Sequence, residues 1–194
     1  MLLDIGTVRR PALGQRVSGD AFAVVSRPDS LLVAVVDGLG HGPNAAEAAD
    51  AFVESVEGAD DVPLDTMMAD AGRRLAHTRG AAATIVRLDF ARRRIETSGV
   101  GNVHFQAHAD RSIHPVSAPG IVGHRVRKVL RFEFGLPDEL LFSLSSDGLS
   151  SRIHLERYTD GTAQEIAERL LEHYGKAHDD ATCIVVRYAA EAPA

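Results

Sequence analysis

Residues 31–50 constrain this chain more than any other stretch. They open with an apolar run, Leu31 to Val36, short and rich in β-branched side chains. Such a run predicts a strand buried on both faces. It ends at Asp37. Gly38, Gly40 and Gly42 then leave the backbone free for a sharp turn and for close approach to a ligand. Pro43 suits the first position of a helix, where its missing N–H costs nothing, and good helix formers follow over 45–56. The expectation is a carboxylate at the exposed end of a buried strand, beside a glycine-rich turn and a helix start. The plainer alternative is a strand-to-helix turn with no chemistry of its own.

The rest of the chain reads mostly as strands. Segments 2–8 and 20–26 precede the buried run, and 64–77 carries Leu64, Met67, Met68, Ala71 and Leu75 at helical spacing. From residue 82 the period changes: 82–88 and 94–98 flank a hairpin turn, and Gly99-Val100-Gly101-Asn102 predicts another turn. Strands are expected over 103–108, 127–134 and 140–145, a helix over 162–174, and a closing strand over 182–188. Hairpins joining most strands, with two helices together and one late, predict an α+β domain, not a doubly wound parallel sheet. Eight or nine strands are too many for one small flat sheet, so two packed, mostly antiparallel sheets are expected. At 194 residues the simplest organisation is a single domain over 1–189, with 190–194 a frayed tail.

Composition narrows the function classes. A net charge of −6 gives no general attraction to nucleic acid or to an anionic membrane. No apolar run approaches the roughly 18 residues of a membrane span, and the N-terminus lacks the order of a signal peptide. The one cysteine, Cys183, precludes an internal disulfide and fits a cytoplasmic location. It sits in an apolar run, as a buried structural thiol does. The clusters Arg92-Arg93-Arg94 and 125–128 read as solvated turns. Arg125 and Arg127 are also candidate contacts to a phosphoprotein.

Four acidic positions share one context. Asp20, Asp37, Asp147 and Asp179, with Asp180 beside it, each fall at a strand boundary. Carboxylates brought together repel unless a cation lies between them, and an all-oxygen set suits Mg²⁺ or Mn²⁺. Two such ions would prepare a water for in-line attack on phosphorus. The spacing alone is also that of unrelated surface acids.

The segments Val35-Val36-Asp37-Gly38-Leu39-Gly40-His41-Gly42, Ser146-Asp147-Gly148 and Asp179-Asp180-Ala181-Thr182 resemble the motifs of the metal-dependent protein phosphatases of the type 2C (PPM) superfamily. Gly19-Asp20, Ala82-Ala83-Thr84 and Gly99-Val100-Gly101-Asn102 match three further motifs in the same order, so the resemblance covers nearly the whole chain. The compact bacterial sporulation and stress-response branch, with its stand-alone stressosome feedback phosphatases, is the nearer likeness.

The resemblance implies a β-sandwich flanked by helices in four αββα layers, and hydrolysis of phosphoserine or phosphothreonine. It implies two Mn²⁺ or Mg²⁺ ions, with Asp37 bridging both and the Gly38 carbonyl ligating one. Asp20, Asp147 and Asp179 would complete the second ion's shell, with Asp180, His41 and Asn102 in supporting positions. The partner it implies is a phosphorylated stress-signalling protein, a STAS-type scaffold or an anti-sigma antagonist.

This chain departs from many eukaryotic relatives at Leu39, where they carry a histidine. His41 stands two residues further on, either helping to shape the loop or taking part in catalysis. A dinucleotide fingerprint fits poorly, because the third glycine comes one residue early and no βαβ units follow. A catalytically weak pseudophosphatase, retained as a binding module, is the remaining rival.

Overall fold

The computed structural model describes residues 1–126 and 128–190. Arg127 and the 191–194 part of the expected tail lie outside the described residues. Among those described there are nine strands: β1 (Leu2–Arg10), β2 (Asp20–Arg27), β3 (Ser30–Gly38), β4 (Ala81–Asp89), β5 (Arg94–Val100), β6 (His104–Ala109), β7 (Arg131–Gly135), β8 (Glu139–Ser145) and β9 (Ala181–Ala189). They form two sheets, ordered β1-β9-β8-β6 and β2-β3-β4-β5-β7. Every pairing within them is antiparallel. Three α-helices cover the sheets: α1 (Pro43–Glu57), α2 (Leu64–Arg74) and α3 (Ala163–Tyr174).

Alternation along β3 shows how the layers arise. Leu31, Val33 and Val35 point between the sheets, meeting Phe142 and Leu144 of β8 and Ile184 and Val186 of β9. Leu32, Ala34 and Val36 point the other way, into a core with Phe52 and Val56 of α1 and Leu64, Met67 and Met68 of α2. Both faces of this strand are therefore dry, which is why its sequence is a continuous apolar run. On the far side, Ile166, Ala167 and Leu170 of α3 pack on Cys183 and Val185. The order is helices, sheet, sheet, helix: the four αββα layers expected. Cys183 is fully buried, and burial pushes its thiol up to about 12.

Element ends differ from the sequence reading where tertiary contacts decide them. β3 runs two residues beyond Val36, because Asp37 pairs with Asp20 and Ala82, and Gly38 with Ala81. β5 likewise continues through Val100, which pairs with Ala83, leaving the turn to Gly101 and Asn102. The expected strand over 127–134 begins only at Arg131, since Val126, Val129 and Leu130 leave the sheet edge to pack on the helix-side core. The last turn of the helix expected over 64–77 tightens into a 3-10 turn, Leu75–His77. Pro43 is the first residue of α1 as expected. Arg94 is no solvated turn residue. It is half-buried in β5 and ion-pairs with Glu96 and Glu133 at 3.1 and 3.0 Å.

Candidate metal centre

Two sheet ends meet to build the site. On the five-stranded sheet, β2 begins with Asp20 and β3 closes with Asp37-Gly38, and the antiparallel register sets the two acids opposite each other. A side chain at Gly38 would collide with the Ala45 carbonyl, its Cβ lying 2.1 Å from that oxygen. The bare residue lets α1 start directly against the strand end. On the four-stranded sheet, β8 ends at Ser145 and β9 starts at Ala181. The loops carrying Asp147 and Asp179 thus leave the same end, and Ser146 N–H donates to the Thr182 carbonyl at 3.0 Å.

A buried hydrogen bond helps join the two sheets here. The Ser146 hydroxyl donates to Asp20 Oδ2 at 2.5 Å and accepts from the Thr182 N–H at 3.0 Å. Asp20 is 1% exposed. Burial pushes it up to about 7 against the pull of Ser146, with Asp180 and Asp147 adding repulsion. Burial also lifts Asp37 to about 8, and the charges of Asp20, Asp147 and Asp179 add to the rise. These couplings place the four expected acids in one electrostatic cluster. Asn102 Nδ2 donates to Asp147 Oδ2 at 2.6 Å, and the Lys176 ammonium donates to the Asp147 carbonyl at 2.6 Å.

Asp180 is turned elsewhere. It is 4% exposed, and its two oxygens accept the backbone N–H groups of Ala12 and Gly19, each at 2.8 Å. Gly19 in turn accepts from the Gly38 N–H at 3.1 Å. Asp180 therefore fixes the backbone that carries Asp20 and Gly38. His41 is exposed on the turn and makes no hydrogen bond or ion pair among the described residues. The sequence reading did not single out Ser146 or Lys176. The only signal for Ser146 was its place next to Asp147, and Lys176 carried none. A cavity of about 610 Å³ between His108, Glu139, Leu141 and Arg187 opens at the other end of the four-stranded sheet, apart from the acids.

Among the described residues, no three Asp, Glu, His or Cys side chains already stand as an ion-holding group. The donor set nevertheless fits hard divalent cations. It is all oxygen, and Asp20 and Asp37 are held in a state that a proton or a cation relieves. Strand ends fix the backbones of Asp20 and Asp37, while Asp147 and Asp179 stand on the loops between β8 and β9.

No family model matches the chain. A curated relative, the phosphoserine phosphatase RsbX of Bacillus subtilis (strain 168), is 27% identical over 177 residues, covering 89% of this chain and 88% of the relative. A chain of the structure reported as "The bacterial stressosome: a modular system that has been adapted to control secondary messenger signaling" superposes with a TM-score of 0.92 at 31% identity, covering 96% of this chain and 100% of that one. RsbX in complex with magnesium shares the fold, with a TM-score of 0.86 at 24% identity and coverage of 95% and 94%. The carboxylate cluster at the joined sheet ends and these likenesses lead to one conclusion: the chain belongs to the metal-dependent protein serine/threonine phosphatases of the type 2C superfamily, in their bacterial stress-response branch.

Proposed function

We propose that the phosphatase domain spans 1–189 and removes phosphate from phosphoserine or phosphothreonine on a cytoplasmic stress-signalling protein, a STAS-type scaffold or an anti-sigma antagonist. The RsbX likeness and the stressosome-derived neighbour support that partner class. The observation that carries the chemistry is the convergence of Asp20, Asp37, Asp147 and Asp179, with two of them lifted to about 7 and 8.

Activity depends on a divalent metal. In this reading Asp20, Asp37, the Gly38 carbonyl, Asp147 and Asp179 would hold two such ions. Bound there, they supply the Lewis acidity that makes water a nucleophile toward phosphorus near neutral pH. The chain's own residues do the positioning. Ser146 orients Asp20, Asn102 and Lys176 hold the Asp147 loop, and Asp180 pins the backbone leading into Asp20. Cys183 is buried and takes no part, so no step passes through a phosphocysteine. His41 shapes the turn.

The test uses purified chain with an aryl phosphate and with a phosphorylated STAS-domain protein, in Mn²⁺, Mg²⁺ or chelator. Expected are turnover only with metal, two ions per chain by calorimetry, and faster hydrolysis of the STAS-domain protein than of an unrelated phosphopeptide. Mn²⁺ binding without turnover would favour the pseudophosphatase reading instead. Equal rates on both phosphorylated substrates would refute the partner class while leaving the chemistry intact.

A further inference from the structure

The acids alone do not explain how substrate is accepted. Ionised around bound metal, Asp20, Asp37, Asp147 and Asp179 would carry four negative charges, which two divalent ions would just cancel. A phosphate monoester brings close to two more. Its equatorial oxygens need donors that the carboxylates do not offer.

Most cations near the site already serve the backbone. Lys176 donates to the Asp147 carbonyl at 2.6 Å. Arg9 donates to the Ser18 carbonyl at 3.2 Å, and Arg10 to that of Lys176 at 2.7 Å. Arg16 and Arg79 differ: both are exposed, and among the described residues neither guanidinium makes a hydrogen bond or ion pair. Of the two, Arg79 is the one whose guanidinium lies against the Gly40 turn.

Its position is set by the fold. Arg79 lies two residues before Ala81, which pairs with Gly38. The intervening Gly80 accepts the Leu39 N–H at 2.9 Å. Thr78, on the other side, is tied through its hydroxyl to the Leu75 carbonyl at 2.8 Å and the Gly80 N–H at 3.0 Å. The base of the side chain is thus bonded to the Asp37–Gly42 turn, and its tip lies over that turn. Arg79 Nη1 is 2.7 Å from where a Cβ on Gly40 would sit. Gly40, at φ +95°, both makes the turn and leaves the guanidinium room against it. From Gly40 to Asp37 is three residues, at most about 11 Å of chain.

On the phosphatase reading above, we infer that Arg79 is the residue that grips the substrate's phosphate, its free guanidinium fork lying over the Gly40 turn beside the carboxylate cluster. A guanidinium matches two phosphate oxygens at once.

The experiment compares wild type, Arg79→Ala and Arg79→Lys in the full chain loaded with Mn²⁺. It measures KM and kcat on p-nitrophenyl phosphate, inhibition by inorganic phosphate, the melting shift caused by phosphate, and Mn²⁺ affinity by calorimetry. In Arg79→Ala, KM and the phosphate inhibition constant should rise about tenfold, as loss of a charge-assisted hydrogen bond does. The phosphate-induced melting shift should shrink with them, while Mn²⁺ affinity stays put. Arg79→Lys should recover part of the loss, since it restores charge without the fork. Phosphate binding within twofold of wild type in Arg79→Ala would overturn the assignment, and so would a fall in Mn²⁺ affinity matching the loss of phosphate. A wild-type protein that binds no Mn²⁺ and turns nothing over would instead overturn the phosphatase reading, and this assignment with it.

Discussion

Asp179 and Asp180 are neighbours with different work. Asp179 is half-exposed and adds its charge to the field that lifts Asp37, whereas Asp180 spends both oxygens on backbone N–H groups of the loop before Asp20. Asp180→Ala should leave the Ala12 and Gly19 donors buried and unpaired, at a cost of about 3 kcal/mol, lowering the melting temperature of the metal-free protein by roughly 10 °C. Asp179→Ala should leave that temperature unchanged or raise it, and weaken Mn²⁺ binding; melts and calorimetry on the pair check both. Asp37→Asn should keep the fold and lose at least about 90% of turnover, because the position that both ions would share is gone. Steady-state rates alongside a melt decide it. The Asp-Asp pair also shows where sequence reading stops. The resemblance put Asp179 in the shell and Asp180 in support, but spacing alone does not choose between two adjacent carboxylates, because their directions depend on the strand register that follows. Arg79 was illegible for a related reason. Only the pairing of Gly38 with Ala81 brings a residue from a later loop over Gly40.

Among the elements, α3 has the best-defined start. The Thr162 hydroxyl accepts the Glu165 N–H at 3.2 Å, and the Glu165 carboxylate accepts the Thr162 N–H at 2.7 Å, a reciprocal capping box. The Asp4 carboxylate accepts the Ala163 N–H at 2.7 Å and ties the helix to β1. Thr162→Ala should cost about 1 kcal/mol and lower the melting temperature by about 2–4 °C. Turnover should not change, since the helix packs on the outer face of the four-stranded sheet, away from the acids. Periodicity made the elements and layers readable from the chain, because alternation along β3 or helical spacing from Leu64 to Leu75 records directly which faces are dry. Their ends were less readable. β3 is prolonged by partners at Asp20, Ala81 and Ala82, and the entry to β7 is lost to packing at Val129 and Leu130. Neither partner set is local in sequence.

Across the whole molecule, the acidic cluster couples stability to pH and to metal. Asp20 and Asp37 titrate at about 7 and 8 in the fold, against 3.8 unfolded. The folded state therefore holds more protons than the unfolded state between those values. Their contribution is fully present below about 4 and is lost as pH rises through 7 and 8. The metal-free protein should melt lower at pH 8.5 than at pH 5.5. Ions binding only the folded state replace the protons, so the gain from Mn²⁺ should grow over the same interval. Melts in chelator and in Mn²⁺ across that range test it, and a metal gain independent of pH would contradict it. The bond from Ser146 to Asp20 carries this further, because it stitches one sheet of the sandwich to the other at the site itself. Peeling the sheets apart at that end would dismantle the ligand set in the same movement. Breathing of the sandwich and working life of the enzyme are thus a single quantity, and backbone hydrogen exchange at the joined ends of β2, β3, β8 and β9 should slow in concert when Mn²⁺ is added.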